Sequence, residues 1–154
     1  MPPLLLKSPE ALKEWVGEEI GVSEWFKITQ ERIAQFAEAT EDRQWIHTDR
    51  HQASKESPYG ITVAHGFLTL SLMSHLTRAV LQFENLPKLA LNYGLNRVRF
   101  PAPVRADSSI RARVALTGMK DLPGAFEATY SVSLECKQSD KPGCVAEWIV
   151  RYYV

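Results

Sequence analysis

Two short stretches carry residue types and spacings that could do chemistry. In Phe36-Ala37-Glu38-Ala39-Thr40-Glu41-Asp42-Arg43-Gln44-Trp45-Ile46-His47 an amphipathic pattern ends with a carboxylate, Asp42, five residues ahead of an imidazole, His47. An acid and a base that near in sequence can address one water molecule. Eighteen residues after His47 comes Ala64-His65-Gly66-Phe67-Leu68, where a glycine opens the most apolar helical run in the chain. The first N–H groups of a helix lack partners inside it and lie at the positive end of its dipole, so Gly66 offers a backbone donor to a developing oxyanion. A glycine there also lets a substrate approach the backbone closely, or lets another element pack closely. His47-Thr48-Asp49-Arg50-His51 gathers two imidazoles and a carboxylate within five residues, but no further ligand cluster supports a metal site.

The elements that must position these groups can be read from periodicity. Ser8-Pro9-Glu10 has the composition of a helix start, and Leu12, Trp15 and Val16 share a face before Gly17, so residues 1–20 read as an N-terminal helical extension. Residues 22–28 alternate as a strand broken at Glu24, and Thr29 caps a helix whose buried stripe is Ile33, Phe36 and Ala37. Asp42 falls just past that helix, which places Asp42 to His47 on a loop or turn carried by a packed support. Asp49 caps a short helical piece through Ala53, and Ser57-Pro58-Tyr59-Gly60 breaks the chain again. From His65 to Phe83 apolar residues occur on most faces, which predicts a long helix buried nearly all round.

After Pro87 the chain is strand-like: Leu91 to Phe100, Ser109 to Leu116, Phe126 to Lys137 and Cys144 to Tyr153. Ile110, Ala112, Val114 and Leu116 alternate with Ser109, Arg111, Arg113 and Ala115, the period-two pattern of an antiparallel sheet with one wet face. Residues 120–124 and 139–143 supply the hairpin connections. One long helix with antiparallel strands enough to wrap round it is the layout of an α+β hotdog fold. A single sheet over one helix leaves an edge and a flank to cover, and pairing two copies covers both, so a homodimer is expected.

At 154 residues, 45 % of them hydrophobic, the chain fits one domain spanning 1–154. Eighteen basic residues balance eighteen acidic ones with no long run of either sign, so neither nucleic acid nor an anionic membrane is expected as a partner. The Met1-Pro2-Pro3-Leu4-Leu5-Leu6-Lys7 start is too short in apolar residues for a signal peptide, and no segment is long enough to span a bilayer, which predicts a cytoplasmic protein. Cys136 and Cys144 are then expected as free thiols.

With Asp42, His47 and Ala64-His65-Gly66 in this order, the sequence resembles the MaoC-like dehydratases, the hydratase 2 or R-specific enoyl-CoA hydratase family. That family carries a Gly-Asp-x-Asn-Pro-x-His loop followed by His-Gly at the head of the central helix. Here Asp42 and His47 stand at the family spacing, while Glu41, Gln44 and Trp45 replace the usual Gly, Asn and Pro. Gln-Trp-Ile-His, the run after Ala64-His65-Gly66, Asn92-Tyr93-Gly94 and Arg97-Val98-Arg99-Phe100-Pro101 are similar to the nodulation protein N-like branch, and the resemblance covers residues 20–153.

The resemblance implies reversible syn addition of water to a trans-2-enoyl thioester, giving the (3R)-hydroxyacyl-CoA, with no cofactor and no metal. It implies that Asp42 and His47 activate the water jointly and that the Gly66 N–H receives the thioester oxygen. Ser74 matches, by its distance from Gly66, a serine that holds the catalytic carboxylate, although a buried-helix serine can simply bond back one turn. Gln44 takes the place of an Asn near the water, and His65 joins the substrate-binding set, with packing or helix capping as its plainer role. Arg97 and Arg99 share a strand face that is either solvated or turned to CoA phosphates. Two other activities suit the fold: a thioesterase, whose carboxylate would sit on the central helix where only Glu84 stands, at the far end, and a non-catalytic acyl-CoA-binding protein. An acyl carrier protein thioester in place of acyl-CoA stays open as well.

Overall fold

The computed structural model describes all 154 residues. At the N-terminus the Leu4-Leu5-Leu6 run forms a strand, β1 (Leu4–Leu6), followed by a 3-10 helix over Pro9–Trp15. The helix expected after Ser8 is present as a 3-10 helix, the residues before it form a strand instead of helix, and Ser8 makes no side-chain cap. Leu12 on that turn is fully buried in the main core. Next come two short strands, β2 (Glu19–Val22) and β3 (Phe26–Lys27), and then helix α1 (Gln30–Thr40), capped by Thr29 Oγ1 accepting from the Arg32 N–H as its sequence position suggests. Ile33 and Ala37 on α1 are buried and Phe36 is half-buried.

Two small helices follow, α2 (Trp45–Thr48) and α3 (Arg50–Glu56), the latter capped by Asp49 Oδ1 on the Gln52 N–H and one turn longer than its sequence signals suggested. The central helix α4 runs only over Gly66–Arg78. The expected continuation to Phe83 is wrong because Leu81–Phe83 forms strand β4, which pairs in parallel with β1. A three-residue apolar run has no period of its own, and only the partner strand decides its state. Nor is α4 buried all round. Leu68, Thr69, Leu72, Met73, Leu76 and Thr77 face the core, while Phe67 is 71 % exposed and Ser71, His75 and Arg78 lie open.

The remaining strands are β5 (Leu89–Arg99), β6 (Ser109–Leu122), β7 (Ala125–Cys136) and β8 (Cys144–Tyr153). With β2 and β3 they make one antiparallel sheet in the order β2-β6-β7-β8-β5, β3 pairing beside β2 on β6. β6 runs past its expected end to Leu122, so the first hairpin closes in a tight Pro123-Gly124 turn, with Gly124 at φ +71° where a side chain would be strained.

The sheet curls round α4, as the hotdog layout requires. Ile110, Ala112, Val114 and Leu116 are fully buried on its inner face, joined by Tyr130, Val132, Leu134, Trp148, Val150 and Tyr152. Each such side chain withdrawn from water contributes on the order of 1.5–3 kcal/mol. On the outer face Arg111 and Arg113 both donate to Glu135, the wet side that the alternation predicts. Cys136 and Cys144 are free and buried; burial pushes the Cys144 thiol up to about 11, so it stays protonated and unreactive at neutral pH. No helix is long and apolar enough to cross a membrane.

Candidate active site

α1 positions both candidate catalytic groups, one from each end. At its C-terminus Glu41 adopts the left-handed conformation, φ +62°, which turns the chain sharply so that Asp42 starts a new direction. Arg43 braces that turn, its guanidinium forking onto both Glu38 carboxylate oxygens at 2.7 and 3.0 Å and reaching Glu41 as well. At the N-terminus of α1 the Gln30 amide donates to the main-chain carbonyl of His47 at 2.8 Å and accepts from the buried Thr62 hydroxyl. His47 lies on α2, a single helical turn within the stretch expected as a loop or turn, its N–H bonded to the Gln44 carbonyl at 3.0 Å. A helix this short is below the length that periodicity can detect.

The His47 ring is fixed by a 2.7 Å contact between Nδ1 and the Val63 carbonyl. A carbonyl oxygen only accepts, so Nδ1 carries the hydrogen and Nε2 is left with a free lone pair. His47 is half-buried, and that burial lowers its affinity for a proton below the ordinary histidine value of 6.5; the neighbouring His65 pushes the same way, while the Val63 bond and the Asp42 charge oppose it. His65 stands at the N-cap of α4, 3 % exposed, with Nε2 donating to the Asp42 carbonyl at 2.9 Å. Its ring stacks on His47 at 3.8 Å between centroids and 23° between planes, and Phe36 of α1 covers its flank at 4.9 Å.

Asp42, His47 and His65 therefore converge, with their ligand-capable atoms all within 4.8 Å of one another. Each imidazole has one nitrogen tied to a backbone carbonyl and one free, a pattern shared by metal ligands and by proton carriers. Ring geometry separates the two. Lone pairs lie in the ring planes, and planes stacked 23° apart with centroids 3.8 Å apart do not converge within metal-ligand reach. The arrangement suits proton handling between an exposed carboxylate and an imidazole with a free Nε2.

Gly66 is the first residue of α4, so its N–H has no acceptor inside the helix. A Cβ at Gly66 would lie 3.1 Å from the Phe100 ring, which sits over that face. The glycine thus accommodates Phe100, and Phe67 meets the same ring edge-on at 6.4 Å. Gln44 is exposed at the N-cap of α2, and its carbonyl accepts from His47 and Thr48. Ser74 lies elsewhere: two turns along α4, its hydroxyl accepts from Arg78 at 3.1 Å and does not meet Asp42 within this chain. It lines two apolar grooves of about 300 and 450 Å³ between α4 and strands β5 and β8, both of which also touch Asn92 and Trp148. Arg97 and Arg99 are exposed on β5, Arg97 opposite Glu147 and Arg99 donating to the Val98 carbonyl. Sequence reasoning missed Gln30, Thr62 and the Val63 carbonyl. All three act through contacts across at least sixteen residues of chain, which no local spacing reports.

A sheet wrapped round one helix, with a carboxylate and an oriented imidazole gathered at the head of that helix, defines a hotdog protein. The MaoC like domain family matches residues 12–135, and the chain belongs to that family of dehydratases and hydratases. It is 50 % identical over 137 residues to 3-hydroxyacyl-thioester dehydratase Z of Mycobacterium tuberculosis, covering 88 % of this chain and 89 % of that protein. It is 43 % identical over 141 residues to nodulation protein N of Rhizobium leguminosarum bv. viciae, covering 87 % of this chain and 84 % of that one. Among solved structures, the R-hydratase PhaJ1 of Pseudomonas aeruginosa superposes with a TM-score of 0.66 over 90 % of this chain and 81 % of that one. Its 21 % identity speaks for the fold.

Proposed function

We propose that this protein is an (R)-specific enoyl-CoA hydratase, or 3-hydroxyacyl-CoA dehydratase in reverse, acting on trans-2-enoyl thioesters. The observation that carries the reading is the convergence of Asp42 and His47 at the head of α4, their ligand-capable atoms within 4.8 Å of each other, with the His47 ring pinned through Nδ1 to Val63 so that Nε2 is free. Water held between the two gives up a proton to this pair as its oxygen bonds to C3, the C2–C3 π electrons move toward the thioester carbonyl, and the pair returns a proton to C2. The enolate-like oxygen that develops is received by the Gly66 N–H, where the helix dipole adds to the hydrogen bond. Because burial lowers the proton affinity of His47, the ring is neutral and able to accept a proton at physiological pH.

The acyl chain runs from this centre into the grooves beside α4, where Ser74 contributes to the lining. Gln44 borders the water from the exposed side. A second copy pairs along β5, the open edge of the sheet, on which Leu89, Leu91, Tyr93 and Leu95 are 43–55 % exposed. Phe100, just past β5, lies over Gly66, so a copy docked on that edge reaches the rim of the site. The thioesterase reading loses ground because α4 ends at Arg78 and contains no carboxylate; Glu84 lies beyond it.

The test follows enoyl-thioester absorbance with crotonyl-CoA and a longer enoyl-CoA, beside Asp42→Asn and a thiol-release control. Absorbance lost without thiol release, and abolished in the variant, supports the hydratase. Thiol release points to a thioesterase, and binding without turnover of either substrate points to an acyl-CoA carrier.

A further inference from the structure

His65 is a buried titratable group that water activation by Asp42 and His47 leaves without a task. It is 3 % exposed, its Nε2–H is committed to the Asp42 carbonyl, its ring face is committed to His47, and its Nδ1 has no hydrogen-bond partner. A histidine recruited only to fill the core would leave neither contact on a candidate catalytic residue. Taking substrate directly is excluded as well, because Phe36 and His47 cover the ring on two sides.

We propose that His65 is a positioning residue that sets the two halves of the acid–base pair separately, holding Asp42 by its N–H and shielding His47 by its ring. This assignment rests on the hydratase reading given above. The chain between α1 and α2 carries Asp42 on a turn that Arg43 braces through Glu38 and Glu41 and the Thr48 hydroxyl braces at the Arg43 carbonyl, while the Asp42 main-chain carbonyl is held by His65. Across the stack, the His65 ring takes the place of water over one face of His47. The titratable groups that act on His47 are Asp42, from the turn after α1, and His65, from the head of α4; the contact from the chain before α4 is the neutral Val63 carbonyl. The remaining ring nitrogen of His65, Nδ1, is buried with no hydrogen-bond partner of its own.

The two tasks use different parts of the side chain, and two substitutions separate them. His65→Phe keeps an aromatic ring in the stack and removes the donor to Asp42. His65→Gln keeps an N–H near the position of Nε2 and removes the ring. The measurements are kcat and KM for enoyl-thioester hydration on the alkaline plateau, and the His47 titration followed by NMR on histidine-labelled protein without substrate. For His65→Phe we expect kcat to fall about 10- to 100-fold with KM held, the range typical of groups that orient another residue, and the His47 midpoint to stay put. For His65→Gln we expect kcat within a few-fold of the parent and the His47 midpoint to move up toward 6.5, as water regains the ring face.

Both variants lowering kcat alike with the His47 midpoint unmoved would overturn the assignment and leave His65 a packing residue. Where either variant does not fold, His65→Leu replaces the first and His65→Asn the second. Failure of all four to fold also overturns the proposal, because the loss then belongs to the core. A parent protein without turnover on any enoyl thioester would instead remove the hydratase reading, while the NMR titration still judges His65.

Discussion

At the scale of single residues, the site depends on one carboxylate that water reaches and one imidazole that it half reaches. Asp42 is exposed, so Asp42→Asn changes charge without disturbing packing, and we predict a fall in hydration kcat of about 10²–10⁴-fold with an unchanged melting temperature. His47→Ala is expected to lose as much activity and still fold, since its main-chain bonds to Gln30 and Gln44 do not need the side chain. Circular dichroism together with initial rates checks both; an unfolded Asp42→Asn protein would count against placing that residue in the chemistry. Because burial holds the His47 imidazole below 6.5, the acid limb of kcat/KM should fall below 6.5, as a pH–rate profile would show. The same depression makes the unfolded chain bind that proton more readily than the folded one. His47 therefore subtracts stability as pH falls through 6.5 and below, and none above it, which denaturant titrations at stepped pH would read.

Among the secondary elements, α1 has the largest say in the site, because its first residue holds the His47 carbonyl and its last turn launches Asp42. That turn carries Glu41 at φ +62°, a conformation that costs a non-glycine residue on the order of 1–2 kcal/mol, with only a solvent-exposed ion pair to Arg43 set against it. Glu41→Gly should therefore stabilise the protein by up to about 1 kcal/mol, seen as a rise of roughly 2–4 °C in melting temperature, with activity retained. A drop in melting temperature would mean that the Arg43 fork holds the turn more strongly than exposed pairs usually do. The central helix poses a different problem. Its head meets the candidate site, its inner face packs into the core, and its outer face, with Phe67 and the grooves around Ser74, is left open.

For the molecule as a whole, that open face and the unpaired edge of β5 belong together. Leu95 lines the groove with Phe67 and is 43 % exposed in a single chain. We predict that the protein sediments at twice 17.4 kDa and that Leu95→Arg, by placing an unpaired charge in the buried seam, returns it to the mass of one chain. Sedimentation of a monomeric parent would show that the edge is protected in some other way. If the pair forms, loss of activity in the Leu95→Arg monomer would show that the second copy completes the rim beside Phe100.

The sequence by itself determined what depends on local order. Strict alternation in Ile110 to Leu116 gave the faces of β6 because side chains on a strand point alternately to each side. Thr29 and Asp49 marked their helix starts because a short polar side chain there satisfies an orphan N–H. The five-residue step from Asp42 to His47, followed by His65-Gly66, marked the candidate site, and the fold brings Asp42, His47 and His65 together. Tertiary structure alone decided what needs partners far along the chain. Leu81–Phe83 became a strand because Leu4–Leu6 lay beside it, and the same pairing ended the helix early. Which nitrogen of His47 is free follows from the Val63 carbonyl, and the stacking of His65 on His47 follows from how the head of α4 meets α2. Those contacts have no period and no motif. They arise only when packing of the core brings separate segments within hydrogen-bond reach, and there the proton affinity of His47 is lowered.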